Sequence, residues 1–162
     1  IPNIKIEIED YALGEKKGIK TININALSST SSFLKTNQKS KWFNFKKLVL
    51  FKNKKNLVKK KNILIDTLDN LINRKKLNQV DLLKIDTEGF ELEVLKGAKK
   101  SFKLKKIKNI LIEKQLSEMY LNYDFKKVEK TLKKNGFTMI KKFRFPLALF
   151  EDRLYTLKKI KN

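Results

Sequence analysis

Apolar and polar positions alternate with a period of two near the start of the chain. Ile4, Ile6 and Ile8 are interleaved with Lys5, Glu7 and Glu9, which predicts a half-buried strand over Ile4–Glu9. Tyr11-Ala12-Leu13-Gly14 closes it, and Glu15-Lys16-Lys17-Gly18 turns into a second alternating segment, Ile19–Ile24, giving a hairpin or a strand with a following extension. Ala26–Ser32 is rich in serine and reads as a loop. Lys35–Asn62 fits neither the helix nor the strand period and mixes Trp42, Phe43, Phe45 and Phe51 with many lysines. It reads as an excursion from the core.

Beyond it the periods become regular. Asn62–Asp66 predicts a short strand, and Thr67 opens a helix through about Arg74 with Leu68, Leu71 and Ile72 on one face. Val80, Leu82, Leu83 and Ile85 are apolar on both faces, as in a central parallel strand, although Lys84 interrupts the run. Thr87 is placed to cap a helix from Glu88 to about Lys100, whose apolar face is Phe90, Val94, Leu95 and Ala98. Ile107–Glu113 predicts another strand, Phe125–Asn135 a helix stopped by Gly136, and Phe137–Lys142 and Leu154–Lys158 the last two strands. Strands alternating with helices predict one α/β domain with a mostly parallel sheet and no internal repeat.

Composition narrows the chemistry. The 162 residues contain neither cysteine nor histidine, which excludes disulfides, zinc sites built on thiolate or imidazole, and Cys/His nucleophilic pairs. No apolar run approaches the roughly 20 residues that span a bilayer, so a soluble cytoplasmic protein is the default expectation. The formal charge of +22 invites a nucleic-acid partner. Yet of the 39 basic residues only Arg74, Arg144 and Arg153 are arginine, whose planar fork suits bidentate recognition of phosphates and bases. Lysine, asparagine and isoleucine are all abundant, as A/T-rich codon drift produces, so a nucleic-acid partner is not the leading expectation. A noncatalytic basic module binding nucleic acid or an anionic surface is the rival reading. The start at Ile1-Pro2-Asn3 reads as that of a fragment.

The chemistry-bearing stretch is Asp81-Leu82-Leu83-Lys84-Ile85-Asp86-Thr87-Glu88-Gly89-Phe90-Glu91-Leu92-Glu93-Val94-Leu95-Lys96-Gly97-Ala98. It sets Asp86 and Glu88 at the carboxyl end of a strand that feeds a helix, where open α/β sheets bind ligands. A carboxylate there can orient a cationic cofactor or take a proton from an attacking hydroxyl. Helix capping by Asp86 or Thr87, with glutamates answering the helix dipole, explains the same residues.

This stretch closely resembles the signature of FkbM-type methyltransferases, Asp-Leu-(Leu/Ile)-Lys-Ile-Asp followed by Glu-Gly and Glu-x-x-Val-Leu-x-Gly-Ala. Ala12-Leu13-Gly14, Ser31-Ser32, Thr67-Leu68-Asp69 and Ile110-Leu111-Ile112-Glu113 fall in family order, so the resemblance covers most of the chain, while Lys35–Lys61 looks unlike the family. It implies a Rossmann-like class I fold, a seven-stranded sheet whose last strand is antiparallel, and S-adenosylmethionine as methyl donor to a hydroxyl on a sugar or secondary metabolite. Ile4–Glu9 would be the third family strand and Val80–Ile85 the fourth. The first two, with their glycine-rich turn and acid-ended strand, have no counterpart. An interrupted sheet is therefore expected, and the isolated chain is expected to be inactive and to bind S-adenosylhomocysteine weakly.

By position, the resemblance puts the adenine pocket near Asp10 and Ala12, with Asp86 and Glu88 toward the sulfonium and acceptor and Asp86 as the first choice of base. Glu113 either holds the acceptor or pairs structurally with a lysine. Two carboxylates are too few for a magnesium site, so no metal is expected. The 35–61 insertion is a candidate lid over a small-molecule or glycan acceptor, with Trp42 stacking on a sugar, or else a solvated insertion.

Overall fold

The computed structural model describes residues 4–24, 31–35, 37, 39–40, 59–116, 120–144 and 150–158. Two sheets form instead of one. The first has the order β1-β3-β2, from β1 (Ala12–Leu13), β2 (Gly18–Ile24) and β3 (Lys59–Asp66); the second has the order β4-β5-β7-β6, from β4 (Val80–Ile85), β5 (Ile107–Gln115), β6 (Phe137–Arg144) and β7 (Phe150–Leu157). The expected interruption of the sheet thus lies between β1 and β4. Among the described pairings β1–β3 and β4–β5 are parallel and the other three antiparallel, so the sheet is not mostly parallel. The last strand is antiparallel, as expected: β7 runs opposite to both β5 and β6.

The alternating segment Ile4–Glu9 is not a strand. Ile4, Ile6 and Ile8 are 75%, 79% and 90% exposed, and alternation without a neighbouring strand leaves the ladder unmade. The segment is anchored by charge. Lys75 Nζ bonds Glu7 Oε2 at 2.8 Å and Glu9 Oε1 at 2.5 Å, and Arg74 reaches Tyr11 and Asp66. Bonds from Lys5 and Lys75 hold the Glu7 carboxyl down to about 2. Ile19–Ile24 is a strand as predicted, but its antiparallel partner is β3, with Gly18 opposite Ile65, rather than Ile4–Glu9. β3 starts at Lys59, three residues into the predicted excursion. Residues 41–58, including Trp42, Phe43, Phe45 and Phe51, lie outside the described residues, and so does most of the candidate lid. Most of the serine-rich loop lies outside them too.

Helix α1 (Leu68–Arg74) starts where the sequence placed it, with Thr67 Oγ1 accepting from Asn70 N at 3.1 Å. The predicted helix Glu88–Lys100 is instead a turn followed by two short helices, α2 (Glu91–Lys96) and α3 (Lys99–Lys103). Glu88 and Gly89 have φ of 51° and 101°, outside helical space, so Thr87 caps no helix. Asp69 of α1 satisfies the start of α3 instead, accepting from Lys100 N and Ser101 N at 2.8 Å each. Helix α4 (Phe125–Lys134) is capped by Asp124, which accepts from Lys126 N at 3.0 Å, and is stopped by Gly136 at φ 86°.

The core lies between the second sheet and these helices, built from Ile85, Val94, Leu95, Ile110, Ile112 and Leu132 among others. β4 has only β5 beside it among the described residues, so it is an edge strand with Leu82 54% exposed, not the central strand its apolar run predicts. Arg153 on the inner face of β7 is buried and held by Glu151 and Glu129.

The two sheets meet through backbone. Within the first sheet Gly14 N extends the β1–β3 pairing by donating to Asp66 O at 2.9 Å; toward the second sheet Asp69 N, on the helix that follows β3, donates to Gly97 O at 3.0 Å, and a Cβ on Gly97 would lie 2.1 Å from Gly14 O. Backbone cannot yield as a side-chain tip can. Gly97→Ala is therefore expected to destabilise the protein by about 3 kcal/mol or more in urea titrations. Gly18→Ala, where an added Cβ meets nothing within 4 Å, is expected to shift stability by no more than about 0.5 kcal/mol.

Candidate active site

A cleft of about 320 Å³ opens where β1 meets the carboxyl end of β4. Its wall is apolar, from Leu13, Phe33, Ile85, Phe90 and Val94, and Lys84, Asp86 and Thr87 supply its polar groups. Phe33 and Phe90 rings lie 4.6 Å apart, and Lys20 Nζ sits 4.7 Å from the Phe90 ring centre. Ala12 and Asp86, both predicted to meet the cofactor, line this cleft together, whereas Asp10 is exposed and not among the lining residues. Asp86 Oδ2 accepts from Lys84 Nζ at 2.8 Å, and that bond raises the Lys84 ammonium above its ordinary value.

Beyond the cleft rim, Glu88 and Glu113 face one another across an amide. Gln115 Nε2 donates to Glu113 Oε1 at 2.5 Å and to Glu88 Oε2 at 3.1 Å, and the Tyr120 hydroxyl donates to Glu88 Oε2 at 2.7 Å. Burial raises the tyrosine hydroxyl, and the Glu88 charge raises it further. Glu113 is pushed up to about 7, first by burial and then by the charges of Asp86, Glu88, Asp152 and Glu91. Among the described residues its hydrogen-bond partner is the Gln115 amide rather than a lysine.

Local sequence explains the placement. Glu113 and Gln115 are two apart on β5, so the pleat puts them on one side. Glu88 reaches them because the chain turns sharply at Glu88-Gly89, and Ser32 Oγ fixes that turn by donating to Glu88 O at 2.6 Å. Glu91 Oε1 accepts from Gly89 N at 2.9 Å and from Thr87 Oγ1 at 3.1 Å.

Gln115, Tyr120, Ser32 and Glu91 were not singled out as site residues from sequence. Glu91 did carry a signal. It lies three, four and seven positions before Val94, Leu95 and Ala98, so a carboxylate occupies the apolar stripe of its own helix. Tyr120 carried none, since its neighbours show no period.

The raised Glu113 makes stability depend on pH. Its carboxyl binds its proton more tightly in the folded chain than at the ordinary value of 4.5, so its stabilising contribution is full below about 4.5 and is lost as pH rises through about 7. Glu113→Gln is expected to flatten the stability profile between those values relative to the parent, measured by urea titration at a series of pH values. An unchanged difference between the two proteins across that window would show that Glu113 titrates normally.

Among the described residues no group of three or more carboxylates is arranged to hold a metal ion, and no helix is long and apolar enough to cross a membrane. In comparison with known proteins, the methyltransferase FkbM domain matches residues 2–139. Neither the curated proteins nor the solved structures yield a match. By a domain match that spans most of its length, the chain belongs to the FkbM methyltransferase family.

Proposed function

We propose that the chain takes part in S-adenosylmethionine-dependent methylation of a hydroxyl, on a sugar or a secondary metabolite, within a Rossmann-like class I methyltransferase fold. The observation that carries this reading is the juxtaposition of an apolar cleft rimmed by Asp86 with a carboxylate pair, Glu88 and Glu113, of which Glu113 is pushed up to about 7. The cleft residues suit part of the cofactor. Leu13, Ile85 and Phe90 offer a flat apolar wall for a base, and the Asp86 carboxylate suits a sulfonium, in a volume near the lower end of ligand pockets. Lys84 pairs with Asp86 and must yield to that cation.

Bound there, the cofactor supplies an electrophilic methyl group for in-line displacement by the acceptor oxygen. Asp86 and the apolar wall orient the donor, and Glu88, fixed by Tyr120 and Gln115, orients the acceptor hydroxyl. Glu113 takes the hydroxyl proton on its carboxylate, which makes it a better base than Asp86 because its pKa lies near the working pH. Burial and neighbouring charge suit Glu113 to the role of base, while Glu88 orients the acceptor.

The test is a map of amide shifts with millimolar S-adenosylhomocysteine. Shifts are expected at Leu13, Asp86, Thr87 and Phe90, and Asp86→Asn is expected to weaken binding about tenfold. Shifts confined to other surfaces would sink the cofactor assignment. In any preparation of this chain that transfers a labelled methyl group, the rate is expected to rise with pH through about 7, and Glu113→Gln to lower kcat about 100-fold. The charge of +22 favours the rival reading of a basic, noncatalytic binding module. Polyanion affinity that persists at physiological salt and falls steeply as salt rises would support that rival.

A further inference from the structure

Glu91 is 2% exposed, and of its two carboxyl oxygens Oε2 has no hydrogen-bond partner among the described residues. Burying a carboxyl is costly unless its oxygens are satisfied, so a residue of this kind in an apolar stripe calls for a compensating role. Its other oxygen is fully engaged with the turn that precedes its helix, taking Gly89 N at 2.9 Å and Thr87 Oγ1 at 3.1 Å. Glu88 at φ 51° and Gly89 at φ 101° are backbone conformations that a free chain seldom holds. The turn they make carries the Glu88 side chain to Gln115 and Tyr120.

We propose that Glu91 is a positioning residue: its buried carboxyl clamps the Thr87–Gly89 turn and thereby aims Glu88 across Gln115 at Glu113. The proposal rests on the methyl-transfer reading for its purpose, but not for its geometry. Ser32, which donates to the Glu88 carbonyl, fixes the turn from the opposite side, and Leu34 closes over Gly89, where an added Cβ would lie 2.7 Å from its Cδ1. Glu91 supplies the acceptor in this assembly that binds the turn's own amide. Burial raises the Glu91 carboxyl above its ordinary value, more than the bonds from Gly89, from its own amide and from Thr87 lower it. A protonated acid still offers Oε1 to Gly89, so an amide can replace it.

The experiment uses the full chain labelled with ¹³C at the glutamate carboxyl carbons, with Glu113 assigned by loss of its signal in Glu113→Gln. Three forms are compared: the parent, Glu91→Gln, which keeps an acceptor oxygen, and Glu91→Leu, which fills the buried volume without one. The groups facing Glu113 are Asp86, Glu88, Asp152 and Glu91, with Lys84 nearby. The parent and Glu91→Gln are expected to share a protected Gly89 amide, and the Glu113 midpoint near 7 is expected to fall only slightly in Glu91→Gln, by the loss of the Glu91 charge, the smallest of the charges that raise it. In Glu91→Leu the Gly89 amide is expected to exchange about tenfold faster. Its Glu113 midpoint is expected to fall by about one unit as Glu88 swings away. A Glu91→Leu protein that keeps both parent values would overturn the proposal, and so would a Glu91→Gln protein that behaves like Glu91→Leu. S-adenosylhomocysteine added to the same samples separates the two readings: absence of shifts around Leu13 and Asp86 in all three forms overturns the cofactor assignment and leaves the Glu91 result standing.

Discussion

The carbonyl of Gly14 occupies the space that a side chain on residue 97 would need, and the relation of the two sheets follows from that contact. Gly14 leaves β1, and Gly97 ends α2. Their approach sets the end of the small sheet against the helix that follows β4, and the cleft is what remains between β1, β4 and Phe90. α1 is drawn into the same junction at its amino end. Asp66, its neighbour on the amino side, shares a backbone bond with Gly14, and Asp69 reaches across to cap α3. A short run of backbone and capping bonds thus joins what strand pairing does not.

The electrostatics of the site oppose those of the rest of the molecule. Elsewhere lysines dominate an exposed surface, where charge is solvated and pairs contribute little. At the carboxyl ends of β4 and β5, carboxyls from the end of β4, the turn, α2 and β7 raise Glu113 together, with burial acting before any of them. The effect depends on Gln115, a neutral donor, holding Glu88 and Glu113 within reach of each other. Tyr120 adds a second neutral donor to Glu88.

How much of this was legible in the sequence follows from the range of the forces involved. α1 and α4 were readable because the start signal at Thr67, the apolar stripe of α1 and the stop signal at Gly136 are local. Ile4–Glu9 had an equally clear period, but a strand also needs a neighbour, and no local pattern supplies one. Glu88–Lys100 misled for the opposite reason. Its helical stripe is real from Phe90 to Ala98, but Gly89 lets the backbone take a positive φ, and the contact at Gly97 divides the helix. Asp86, Glu88 and Glu113 were readable as candidates because strand ends are predictable places for ligand groups. Gln115 and Tyr120 were not, because what makes them matter is their distance to Glu88.

Gln115 also bears on how far this chain can drift. Glutamine, like glutamate, lies a single base change from lysine, the change to which this composition is most inclined. On the outer face of α4 another lysine alters little, since Lys126, Lys130 and Lys133 are already solvated there. At position 115 the same change would set an ammonium between two carboxyls and give Glu113 a counter-ion in place of a neutral amide. The acidic pocket is thus a place where the commonest substitution available to the gene is also the most damaging one, and a protein rich in lysine can keep such a pocket only by holding these positions closed.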